Sequence, residues 1–107
     1  MNTFDERERG FEAKFAHDQE MEFKIAARRN RLLGLWAAGQ MGLSADNHET
    51  YAKAVVKSDF EQPGDEDVLR KVFEDLKGAG VAASEADVRL KMDELMAVAR
   101  GQINAGT

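Results

Sequence analysis

Two histidines, three clustered arginines and a run of three acids are the residues whose types and spacing bear on chemistry. His17 sits beside Asp18 and His48 beside Glu49, pairings that an acid–base or metal site would use. Neighbours in a helix point about 100° apart, so neither pair converges. Neither histidine has a second one four residues away, as a zinc-protease helix requires. Both read as surface histidines. The chain has no cysteine, which removes disulfides, thiolate zinc sites and a cysteine nucleophile. A G-x-x-x-x-G-K-[ST] phosphate loop and a G-x-S-x-G elbow are both missing. No catalytic constellation assembles, so the chain reads as a non-enzyme without a metal or an obligatory cofactor.

The acids Asp65, Glu66 and Asp67 lack the alternating oxygen ligands and closing glutamate of a calcium loop. They suit the positive end of a helix instead. Arg28, Arg29 and Arg31 are the sharpest basic cluster. Three guanidinium groups suffice to clamp phosphate oxygens, which leaves a phosphate-binding notch, and hence nucleotide binding, open. Glu20 and Glu22 lie one or two turns away, so most of this charge reads as a solvated helix face with partners along the helix.

A length of 107 residues suffices for one domain with a modest core. The net charge of −5 argues against nucleic-acid binding, which needs excess cation to release counterions. Asp5, Glu6 and Glu8 stand where a signal peptide would be basic and then apolar. No apolar run approaches the roughly 20 residues of a membrane span. A small, acidic, cytoplasmic protein is expected.

Ala, Leu, Glu, Lys, Arg and Met dominate, proline occurs once, and no stretch alternates long enough for a strand. The pattern predicts an all-α chain. A first helix runs to about residue 41, with Met21, Ile25, Leu32 and Trp36 on one face and Leu33 and Leu35 widening it. Gly39 and Gly42 end it. Ser44 or Asp46 offers the next N-cap, Asp46 with Glu49 having capping-box spacing. The second helix reaches about Phe60 and buries Tyr51, Ala52, Val55, Val56 and Phe60. Pro63 and Gly64 break the chain. A third helix follows the acids, with Val68, Leu69, Val72, Phe73 and Leu76 inward, and stops at Gly78 and Gly80. Ser84 and Asp87 open a fourth, with Val88, Leu90, Met92, Leu95, Met96 and Val98 inward. The final GQINAGT reads as a frayed tail. Short connections predict a compact antiparallel four-helix bundle.

The opening stretch does not fit that bundle smoothly. Phe4, Phe11 and Phe15 have helical spacing and lie within about 40° of one another, but the later apolar face is centred roughly 60° away. Asp18 and Glu22 would continue the phenylalanine stripe, so the seam breaks near residue 18. Either the stripe extends the core, or it is a narrow aromatic face that orders in a partner's groove.

The stretches FDERERGFEAKFAHDQEMEFKIAARRNRLLGLWAA and YAKAVVKSDFEQPGDEDVLRKVFEDL resemble the zeta subunits that inhibit the F-type ATP synthases of α-proteobacteria. The resemblance covers nearly the whole chain and weakens after about residue 78. It implies a four-helix bundle over 19–103, a weakly ordered inhibitory segment over 1–18 and a short tail over 104–107. The implied activity is inhibition of ATP hydrolysis. The N-terminal helix would enter an interface between catalytic subunits of the soluble head and block rotation. Carried onto this chain, Phe4, Phe11 and Phe15 would be apolar anchors, while Arg7, Glu8, Arg9, Glu12 and Lys14 would set register by charge. The implied protein is a monomer when free, bound to the membrane only through the synthase. The alternative from the residues alone is a helical nucleotide- or phosphate-sensing module using Arg28, Arg29 and Arg31.

Overall fold

A computed structural model describes the backbone of residues 3–106 and the side chains of residues 16–106. The expected apolar anchors Phe4, Phe11 and Phe15, and the register charges Arg7, Glu8, Arg9, Glu12 and Lys14, lie outside the described side chains. The described residues form four helices: α1 (Thr3–Gln40), α2 (Ala45–Glu61), α3 (Asp65–Gly78) and α4 (Glu85–Asn104). Among the described residues there is no strand. The fold is therefore all-α, as the composition predicts.

Helix α1 packs against all three others, and α2 pairs with α3 and α3 with α4. The core is Leu33 and Ala37 from α1, Val55 from α2, Val68, Leu69, Val72 and Leu76 from α3, and Val88 and Met92 from α4. Trp36, Tyr51, Phe73 and Leu95 pack against its edge. Two helix stops take the form expected of glycine. Gly42 (φ 71°) and Gly80 (φ 79°) adopt the left-handed conformation, whereas Gly39 and Gly78 stay helical. Leu43 N–H then donates to Ala38 O at 3.0 Å, and Val81 N–H to Leu76 O at 2.9 Å, closing Schellman turns. At the start of α4, Ser84 and Asp87 form a reciprocal capping box. Ser44 caps α2 by position without a side-chain bond, and Asp46 lies inside the first turn.

Several expected inward positions turn out otherwise. Phe60, Leu90 and Val98 are exposed. Helix α4 buries Val88, Met92 and Ala99, the last where Val98 was expected. Residues 101–104 belong to α4 rather than to a frayed tail, and Gln102 and Ile103 are half-buried. On α1 the buried ridge is Ile25, Arg29, Leu33 and Ala37, with Asn30 and Ala38 beside it. Leu32, Leu35 and Trp36 flank this ridge, half-buried. The apolar-only count placed the face one position off because two of its members are polar and two are alanines.

Gly34 explains how α1 and α2 approach. A Cβ placed on Gly34 would lie 2.6 Å from the Ala52 Cα. Only glycine opposite alanine lets the two backbones come so close, and that contact draws α2 along α1.

Candidate functional site

Helix α1 is far longer than its partners, 38 residues against 17 in α2. At about 1.5 Å per residue that is roughly 57 Å against 25 Å. Residues 16–20 are exposed all round, and burial begins with half-buried Met21 and buried Ile25. Glu22 makes the next attachment, accepting from both Arg100 guanidinium nitrogens of α4 at 2.7 and 3.2 Å. This charge-assisted pair holds the Glu22 carboxyl below its ordinary range and raises Arg100. Among the described side chains, the first contacts of α1 with the rest of the bundle are therefore at residues 21–22.

The arginine cluster divides among three seams. Arg29 is 2% exposed, and its Nη2 donates to Asp65 Oδ1 at the start of α3, 2.8 Å away. Its Nε donates to Asn30 Oδ1 at 2.8 Å, and Asn30 Nδ2 donates to Asp59 Oδ2 of α2 at 2.8 Å. Asp59 also accepts from the Gly64 backbone N–H at 3.3 Å. One buried arginine and one buried asparagine therefore pin α1 to the α2–α3 corner. Arg31 pairs with Glu49 of α2, and Arg28 Nη1 donates to Gln102 of α4 at 2.8 Å. The three guanidinium groups do not converge on one point. Their expected partners differ too: Glu20 pairs with Lys24, and Glu22 with Arg100. One sequence signal marks Arg29. It lies four residues after Ile25 and four before Leu33, in the middle of the buried ridge.

The acids at the head of α3 are used in the same way. Asp65 meets Arg29, Glu66 meets Arg89 of α4, and Asp67 meets Arg70 at 3.5 Å. Among the described residues no group of three or more metal-binding side chains gathers. His17 is exposed, and His48 donates from Nε2 to Leu43 O at 2.9 Å, holding the α1–α2 turn.

An open groove of about 930 Å³ runs between α1 and α2. Its floor is Phe23, Ala27, Val56, Phe60 and Ile103. Phe23 and Phe60 meet edge to face with centroids 5.3 Å apart, yet are 54% and 59% exposed. Lys24, Arg28, Arg31, Lys53 and Lys57 stand around it with Glu49 and Glu61. Arg29 does not reach it. Sequence reading missed this surface because it counted Phe60 as core and Phe23 in no stripe.

No helix among the described residues is long and apolar enough to cross a membrane. A protein solved by solution NMR is 50% identical over an alignment covering 81% of this chain and 99% of that one, with a TM-score of 0.70. No curated protein matches the chain. The family model for ATPase inhibitor subunit zeta matches residues 1–102, almost the whole of the four helices. This chain belongs to the ATPase inhibitor subunit zeta family.

Proposed function

We propose that this protein inhibits ATP hydrolysis by an F-type ATP synthase, with residues 1–18 as the part that enters the enzyme. The reading rests on family membership and is supported by one feature of the fold, the exposed residues 16–20 of α1, which among the described side chains precede the first bundle contacts at residues 21–22. A rotary ATPase must open and close its catalytic interfaces in turn. A helix that fits one of those states better than the others stalls the cycle by its differential affinity. Phe4, Phe11 and Phe15 supply the apolar part of that preference, about 1.5–3 kcal/mol for each ring fully buried, before the cost of ordering. Arg7, Glu8, Arg9, Glu12 and Lys14 set the register. The bundle serves as the stopper that fixes how far the arm enters. The protein then works on the cytoplasmic side, held near the membrane by its partner.

Removing residues 2–17 and assaying ATP hydrolysis by the synthase tests the reading. Inhibition should vanish while the bundle's helical content persists. Full inhibition by the shortened chain would overturn it.

A further inference from the structure

We propose that the α1–α2 groove is a second docking site on the same partner, taking an amphipathic helix whose apolar face is flanked by Asp and Glu. The proposal rests on the partner reading above and adds where the bundle itself is gripped.

Three observations meet there. The first is the pair Phe23–Phe60, two rings packed on each other and still more than half exposed. Large aromatic surface left open in a chain this small marks an interaction surface. The second is charge. Five cationic side chains line the groove against two carboxylates, on a protein whose net charge is −5. Lys53 has no ion pair among the described residues, while Lys24, Arg31 and Lys57 pair with Glu20, Glu49 and Glu61. The local sign is therefore opposite to that of the whole molecule, and it selects an acidic occupant.

The third is position. Phe23 lies eight residues after Phe15 on one helix, about 12 Å along its axis. Any partner that encloses the arm as far as Phe15 brings its surface to the mouth of the groove. The α2 wall from Glu49 to Glu61 is about 18 Å long, which matches a visiting helix of roughly three turns. Helix-in-groove binding needs an apolar floor with charged shoulders, and both are present.

Full-length chains carrying Lys53→Glu with Phe60→Ala, chains carrying Phe11→Ala with Phe15→Ala, and the four-site combination would be titrated against the purified soluble ATPase head at two salt concentrations. The groove variant should keep the parent melting temperature within a few degrees, since Lys53 and Phe60 are exposed. The groove variant should bind about tenfold more weakly, chiefly through faster dissociation. Its affinity should depend less on salt, while inhibition at saturation stays complete. Binding within twofold of the parent at both salt concentrations would overturn the groove proposal and leave the arm reading intact. An arm variant that inhibits like the parent would instead sink the arm reading. A parent chain that sediments as a dimer, and a groove variant that sediments as a monomer, would assign the groove to a second copy and also overturn the proposal.

Discussion

Arg29 Nη2 donates to Asp65 Oδ1 at 2.8 Å, an ion pair whose cation is buried and whose anion is 61% exposed. The pair joins the middle of α1 to the first residue of α3. It replaces a purely apolar contact at the centre of the α1 ridge.

Removing only the carboxylate should therefore be costly. Asp65→Ala leaves a buried guanidinium with Asn30 as its remaining bonded partner, and should cost about 1–3 kcal/mol. That is less than for a fully buried pair, because Asp65 is screened by solvent. Arg29→Met keeps the volume and removes the charge, so it should cost less than Arg29→Ala. Urea unfolding of the three variants measures the order. A loss in Asp65→Ala below a few tenths of a kcal/mol would show that the pair does not hold α1 to α3.

Gly34→Ala should destabilise the bundle even though alanine favours helix by about 1 kcal/mol. The new methyl meets Ala52 backbone, which cannot move aside as a side-chain tip would. A net loss of about 1–2 kcal/mol is expected once overpacking outweighs propensity. Gly39→Ala, where nothing lies within 4 Å, is the control and should be neutral or stabilising. Thermal melts of the two side by side decide the point.

Tyr51 is the chain's single tyrosine, so its titration can be followed without assignment. Burial first, and then the Asp75 carboxylate that accepts its hydroxyl proton at 2.7 Å, push the phenol well above its usual value. The ammonium of Lys71, 3.2 Å from the same carboxylate oxygen, faces the pair. The folded state favours the neutral phenol. Its contribution is complete below the unfolded value of about 10, and is lost as pH rises above that. Ultraviolet titration should show no phenolate in the folded protein near pH 11, and phenolate should appear together with unfolding. Ionisation near pH 10 with the fold intact would contradict the geometry.

Glu22 and Arg100 tie the base of the arm to α4. The guanidinium hydrogen bonds lower the Glu22 carboxyl, so this tie is present above the ordinary carboxylate range and is lost as pH falls through the depressed folded value. In Arg100→Ala the Glu22 side-chain carboxyl, followed by NMR, should titrate at its ordinary position. An unchanged titration would assign the depression to another cause.

Helix number, connections and caps were legible without a structure because they depend on neighbours in sequence. Apolar spacing, Pro63 with Gly64, the glycines at 42 and 80, and the Ser84–Asp87 box act over a few residues. The expected phase shift between two stripes was not a legible boundary, since the buried ridge Ile25, Arg29, Leu33 and Ala37 is centred close to the phenylalanine stripe. Burial of Arg29 was not plain despite its place between Ile25 and Leu33, since an arginine in a basic cluster looks like a surface charge until Asp65, 36 residues away, comes to meet it. Nor was the groove, because Phe23 and Phe60 become an exposed pair only when the Gly34–Ala52 contact sets the angle and separation of α1 and α2. Local periodicity determined which helices form and where they stop. Packing over long sequence distances decided which polar groups are buried, where the three arginines point and which aromatic surface is left for a partner.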